Sequence, residues 1–251
     1  MFISQKDMAI CLQIERADSK WISRVIKQIL SSRLLLDGWI PLHASAVSYG
    51  DKTLVWAGHR GSGKSTLAFL AASLKGAKFL ADDIVFVRQL GPQWDVIGWP
   101  GRVAVRRALL QEVFGLERVA KFEPELRRGI ASDRTHPRGE RLAFDPDEVQ
   151  KYLEIAYCGH STGRLRIANI RPVPACFQHV NSRLGDLRSE FEATGFDRRY
   201  LVDPFRLFSI PEITSPIVEG KAEALEIEEL DVPYNALSAF EDLWAFMLRG
   251  E

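Results

Sequence analysis

Hydrophobic positions change period several times along this chain. From Trp21, the residues Ile22, Val25, Ile26, Ile29 and Leu30 recur at helical spacing behind the capping candidates Asp18 and Ser19. That spacing predicts an amphipathic helix, and Asp37-Gly38 predicts the turn after it. His43 to Ser48 then alternates and Thr53 to Ala57 is rich in β-formers, so two strands are predicted on either side of a Tyr49-Gly50-Asp51-Lys52 turn. A glycine-rich segment follows directly. Beyond it Leu67, Leu70, Ala71 and Leu74 share one helical face, and Gly76 is placed to stop that helix in a left-handed cap. Phe79 to Val87 reads as one strand interrupted by Asp82 and Asp83, Gly91-Pro92 as a turn, and Trp94 to Trp99 as a partner strand.

From Glu123 to Arg141 the chain is polar, rich in arginine and poor in apolar residues, the pattern of a long exposed loop. Asp145-Pro146-Asp147-Glu148 has the chemistry of a helix start, an acidic N-cap followed by proline and first-turn acids, and the helix is predicted to run to about Tyr157. Arg164 to Val173 is a predicted strand. Ser182 to Ala193 is a predicted short helix with Leu184, Leu187 and Phe191 on one side. Ala224 to Leu230 is a late strand, and Leu237, Phe240, Trp244 and Met247 give a final helix its apolar stripe. Because strands and helices alternate throughout, the expected class is α/β, one core with a small C-terminal extension.

Composition narrows the function classes. The chain has 251 residues, 46% hydrophobic, with Lys+Arg and Asp+Glu equal at 33 each. No excess positive charge is on hand for a nucleic-acid backbone or an anionic membrane, so neither partner is expected. No apolar run approaches the ~18 residues needed to span a bilayer. Charged residues interrupt Met1 to Lys20, unlike a secretory signal. Cys11, Cys158 and Cys176 are odd in number and widely spaced, which fits reduced thiols in a cytoplasmic protein.

The glycine-rich segment carries the chemistry. Gly58-His59-Arg60-Gly61-Ser62-Gly63-Lys64-Ser65 fits the P-loop (Walker A) pattern between a predicted strand and a predicted helix. Glycines let backbone N–H groups face a β-phosphate, the following helix start adds positive potential, Lys64 reaches the β/γ oxygens, and the Ser65 hydroxyl can ligate Mg²⁺. Gly58, Arg60, Gly61, Ser62, Gly63, Lys64, Ser65 and Thr66 are therefore the candidate contacts for the phosphates of ATP. His59 occupies a variable position of the pattern, expected to face away.

Asp82 and Asp83 follow on the next strand, closer to the loop than the metal-side acid of most P-loop NTPases. One carboxylate would hold Mg²⁺ and the other would take the proton of an attacking hydroxyl. Consecutive strand residues face opposite ways, so both serve one site only if the backbone turns or ends there. His43 opens the strand before the loop strand, close enough to the phosphates to bond an acid or the metal shell. His136, His160 and His179 lack motif support, and Cys158-Gly159-His160 is too isolated to make a metal site.

Pro41-Leu42-His43-Ala44-Ser45-Ala46-Val47, then Gly58 to Ser65, then Leu80-Ala81-Asp82-Asp83, together resemble the catalytic domain of the HPr kinase/phosphorylase family. They resemble more closely its shorter HPr-kinase-like members, including those of peptide natural-product pathways. The likeness spans about Leu35 to Val87. It implies a P-loop kinase core of the HPr kinase/phosphoenolpyruvate carboxykinase type and transfer of phosphate from Mg-ATP to a serine hydroxyl. By the same resemblance Asp82 is the base, Asp83 and Ser65 stand on the metal side, and His43 matches the family's active-site histidine. On this reading residues 1–40 are a helical lead-in, 41–175 the nucleotide-binding core and 176–251 the extension. His43 stands so near the start that the separate N-terminal domain of the bacterial regulatory enzymes is not expected. Gly101 to Arg107 lacks the glutamate of the family's later signature, so the phosphorylase activity is not expected either.

A kinase must also neutralise charge on the phosphoryl in flight, for which planar guanidinium groups are suited. Arg102, Arg106, Arg138 and Arg141 are candidates, Arg141 first among them. The expected function is an ATP- and Mg²⁺-dependent kinase acting on a Ser/Thr hydroxyl of a peptide or protein, such as a ribosomal peptide precursor. A kinase of free serine or another hydroxylated metabolite, and an ATP-binding switch with little catalysis, are the alternatives. Related kinases commonly assemble, so the resemblance admits a homo-oligomer, but the sequence does not fix the oligomeric state.

Overall fold

The computed structural model describes residues 2–4, 9–11, 26, 30, 31, 33, 34, 37–59, 61–126, 130–131, 140–173, 181–185, 225–233 and 237–249. Among them the centre of the fold is a nine-stranded mixed sheet. Its strands are β3 (Ile40–Leu42), β4 (Ala44–Tyr49), β5 (Lys52–Ala57), β6 (Lys78–Ala81), β7 (Val85–Leu90), β8 (Gln93–Gly98), β12 (His160–Val173), β13 (Asn181–Gly185) and β14 (Ile227–Pro233). They lie in the order β3-β7-β8-β12-β5-β4-β6, with β14 beside β12 and β13 beside β14. A three-stranded sheet of β9 (Val103–Arg106), β10 (Ile130–Ala131) and β11 (Arg141–Phe144) is hydrogen-bonded separately from the main sheet, as is a hairpin of β1 (Phe2–Ser4) and β2 (Ala9–Cys11), which opens the predicted helical lead-in.

The apolar run of β5 is explained by burial on both faces. Leu54 and Trp56 join a cluster with Leu67 and Leu70 of helix α1 (Lys64–Lys75), while Val55 and Ala57 join a second cluster with Leu80, Val96 and Ile167. The two-residue period divides the strand between two cores. The first core also takes in Val119 of α3 (Leu116–Phe122), Leu110 of α2 (Arg107–Phe114), Val149 of α4 (Pro146–Leu153), and Phe240, Leu243, Trp244 and Met247 of α5 (Phe240–Leu248). The segment read as a C-terminal extension thus contributes β14 to the main sheet and α5 to its core.

Several predicted elements appear as read. The β4–β5 hairpin turns at Gly50 with φ 58°, and α1 ends at Gly76 with φ 68°. Helix α4 starts at Pro146 behind a capping box in which the Asp145 N–H donates to Glu148 Oε2 at 2.8 Å. Five expectations need correction. Phe79 to Val87 is two strands in different parts of the sheet, because β6 pairs with β4 whereas β7 pairs with β3 and β8. Leu74 is 47% exposed, since the last turn of α1 runs past the edge of the core. Helix α4 stops at Leu153, where Glu154 takes a left-handed φ of 57°. Residues 181–185 of the predicted Ser182 to Ala193 helix form a strand on β14, and 186–193 lie outside the described residues. The loop from Glu123 to Arg141 contains strand β10, and Arg141 opens β11.

Of the N-terminal helix, Ile26 and Leu30 are helical and about half exposed, and most of its other positions lie outside the described residues. Cys158 is a free thiol. Among the described residues no helix is long and apolar enough to cross a membrane.

Candidate active site

Buried strand β5 delivers the chain to Gly58, whose φ of 133° and surroundings admit no side chain. A Cβ there would lie 2.5 Å from the Ile170 carbonyl oxygen and 2.8 Å from Ser62 Oγ. The loop closes with Gly63, the N-cap of α1, at φ 107°. Neither a capping side chain nor a first-turn acid covers this helix start, so its positive end is open to an anion. Lys64 is only 7% exposed, and its Nζ donates to the carbonyls of Gly58 at 2.6 Å and His59 at 3.1 Å. The loop's own oxygens thus hold its ammonium group at the rim of the helix start.

The two acids reach this loop because the backbone turns at them. Asp82 follows β6 and Asp83 precedes β7, and the crossing between the two parts of the sheet takes Asp83 to φ 101°. Chain connection β3–β4 makes the same crossing at His43, and the two crossings are tied together by the Ala44 N–H donating to the Asp83 carbonyl at 3.2 Å. A bulge between Ala46 and Val47 in the β4–β6 pairing lies next to this corner. In this arrangement His43 Nε2 lies 3.3 Å from Asp83 Oδ1, a carboxylate that is 63% exposed.

Asp82 is held more firmly. It accepts hydrogen bonds from Ser45 Oγ at 2.9 Å, from the Ala104 N–H at 3.4 Å and from the Ser65 side chain. Burial pushes its pKa above the ordinary carboxylate range, with Asp83 adding in the same direction, against the lowering effect of those three hydrogen bonds. A partly buried carboxylate with a raised pKa, fixed by three donors, is a competent proton acceptor.

The opposite wall comes from the small sheet. Arg102 precedes β9, Arg106 ends it, and Arg141 sits directly across from Arg106 in the β9–β11 register. Directly opposed residues of an antiparallel pair share a face, so both guanidinium groups flank one space. That space is a cavity of about 440 Å³ lined by His43, Lys64, Ser65, Asp82, Asp83 and the three arginines, with Gly61, Gly63 and Thr66 along the loop side.

One cavity therefore gathers His43, Gly61, Gly63, Lys64, Ser65, Thr66, Asp82, Asp83 and Arg141 from the sequence candidates. Gly58 and Ser62 stand behind its lining, exposed His59 is not part of it, and Arg60 and Arg138 lie outside the described residues. His160 bonds Asp95 elsewhere on the sheet, and His136 and His179 are outside the described residues. Sequence reasoning missed three contributors. Ser45 is fully buried and orients Asp82, the Ala104 N–H does the same from β9, and Asn169 reaches the underside of the loop from β12. Ser45 stood inside a recognised string without a role of its own. Asn169 carried no signal, because only strand pairing brings it near.

A magnesium ion fits the donors present. Ser65 and Asp83 offer hard oxygen atoms at the cavity, and Mg²⁺ takes few protein ligands when phosphates and water supply the rest. Among the described residues no group of three or more His, Cys, Asp or Glu side chains is placed to hold a metal ion.

No protein-family model matches the chain, and no curated protein matches it. Among solved structures, the chain is similar to the Hpr(Ser) kinase/phosphatase from Coxiella burnetii, at 12% sequence identity and a TM-score of 0.38. The alignment covers 84% of this chain and 99% of that one. A likeness of that degree sets no residue of one protein on a residue of the other, and the roles given below rest on this chain's own geometry.

Proposed function

We propose that this chain is a Mg-ATP-dependent kinase that transfers the γ-phosphoryl group to a Ser or Thr hydroxyl of a peptide or protein. One observation carries the reading: a glycine loop with its lysine, a fixed carboxylate of raised pKa and three guanidinium groups line the same cavity. The loop N–H groups and the start of α1 take the phosphates, and Lys64 exchanges its carbonyl partners for β/γ oxygens. Asp82, aimed by Ser45 and Ala104, accepts the proton of the acceptor hydroxyl. The acceptor oxygen then bonds to the γ-phosphorus as its bond to the β-bridging oxygen breaks, and ADP leaves. Arg106 and Arg141 face the negative charge spread over the phosphoryl oxygens. Held by Ser65 and Asp83, Mg²⁺ would neutralise phosphate charge, while His43 steadies the exposed Asp83 carboxylate.

A small acceptor is the second reading, favoured by the arginine wall, which suits a metabolite carrying its own carboxylate. Incubation with Mg-ATP and either Ser/Thr peptides or free serine, followed by mass spectrometry, separates the two. Phosphopeptide supports the first and phosphoserine the second. ATP binding with no phosphorylated product in any mixture leaves a nucleotide switch. Asp82→Asn is expected to abolish transfer while keeping ATP binding, and a fully active variant removes Asp82 as the base.

A further inference from the structure

The floor of the phosphate loop contains two polar groups that the mechanism above does not use. Strand β12 runs parallel to β5 with Asn169 opposite Ala57, the residue before Gly58, so the end of β12 lies beneath the start of the loop. The Cβ position of Gly58 is 2.8 Å from Ser62 Oγ and 3.3 Å from Asn169 Oδ1, which places both oxygens against the same backbone point. Ser62 and Asn169 are 6% and 7% exposed, and among the described residues neither oxygen has a hydrogen-bond partner. One is a hydroxyl able to donate and the other an amide oxygen able only to accept. Complementary groups a few ångströms apart, buried and unbonded, are a costly arrangement for the fold alone to keep.

The rest of the loop explains why they are unbonded. The Ser62 N–H donates to the His59 carbonyl at 3.0 Å, and Lys64 Nζ donates to that carbonyl and to Gly58. Two of the donors a phosphate would use, the Ser62 N–H and the Lys64 ammonium, are thus spent on the loop's own oxygens. An anion that takes these two over releases Gly58, His59 and Ser62 from this internal bonding.

We infer that Ser62 and Asn169 are a positioning pair, in which the Ser62 hydroxyl donates to Asn169 Oδ1 once a phosphate has drawn the loop donors inward. This rests on the nucleotide reading above. Neither side chain lines the cavity, so the pair acts through the loop and latches its phosphate-holding shape to β12.

The test exploits a difference in sign between two states. In the nucleotide-free protein, Ser62→Ala removes an unbonded polar group, so its Tm stays level or rises, while Asn169→Leu, which also removes the Nδ2 donors, supplies the second partner of the cycle. With Mg-ADP followed by calorimetry, each variant loses the bond that forms on binding, and Kd rises about ten-fold, the scale of one buried hydrogen bond. The double variant weakens binding no more than either single one, as coupled partners require. Ser62→Thr keeps the hydroxyl and restores affinity. Unchanged Kd in the single variants, additive losses in the double variant, or a fall in nucleotide-free Tm that accounts for the weaker binding each overturn the latch while the nucleotide reading stands. Failure of the unaltered protein to bind Mg-ADP overturns that reading and the latch together.

Discussion

Asp82 is under opposing demands. Ser45, Ser65 and Ala104 bond its carboxylate, but burial and Asp83 still leave the pKa raised. The folded protein therefore holds this proton more tightly than the unfolded chain does. The group's contribution to stability is present below the unfolded carboxylate pKa and is lost as pH rises through the higher folded value. Asp82→Asn should accordingly raise Tm at neutral pH, with the gain vanishing below the ordinary carboxylate range, as melting curves at two pH values will record. On the mechanism proposed above, the same shift should place the acid limb of the transfer rate above that range, as a pH–rate profile will record. At this scale the sequence was readable where chemistry is packed into a short string: the loop and the twin acids announced themselves. Ser45 and Asn169 did not, because a lone serine or asparagine in a strand has no periodicity or spacing that sets it apart until a distant segment arrives beside it.

Elements were legible in proportion to how local their determinants are. The start of α4 was predicted to the residue because proline, the acidic cap and the first-turn acids all lie within one turn. Asp145→Ala removes that reciprocal cap and should cost about 1 kcal/mol, read from the denaturant midpoint. Its effect on nucleotide affinity should be small, since neither cap residue lines the cavity. The break between β6 and β7 was obscured by an apolar pattern that continues on both sides of the acids, and only pairing with β4 on one side and β3 and β8 on the other divides it. Leu184 belonged to a helical pattern, yet the pairing of 181–185 with β14 overrides that local preference. The corner that brings both acids to one cavity is thus a product of sheet topology. The sequence stated its condition, a turn at Asp82-Asp83, without being able to supply it.

Over the whole molecule β12 is the common member. Residues His160 to Gly163 pair with β8, Arg164 to Asn169 with β5, and Ile167 to Val173 with β14. It passes so close to the β4–β5 turn that a Cβ on Gly163 would lie 2.2 Å from the Asp51 carbonyl oxygen. Gly163→Ala must therefore displace main chain, and a loss of roughly 3 kcal/mol, on the scale of severe steric substitutions, is expected in equilibrium unfolding. The C-terminal segment is tied to the same framework. Lys75 pairs with Glu241 at 2.6 Å, and Lys52 Nζ donates to the Leu248 carbonyl at 2.6 Å. Such long-range partners explain why that segment read as an appendage.

The parallel match of β12 to β5 also has a bearing on synthesis. The glycine loop is translated before the strand that supports its underside, because Gly58 precedes Asn169 in the chain. Until then the nascent loop has no seat. On the function proposed above, nucleotide capture should thus begin only once β12 has been made, and ribosome-bound fragments halted ahead of β12 should emerge unable to retain it.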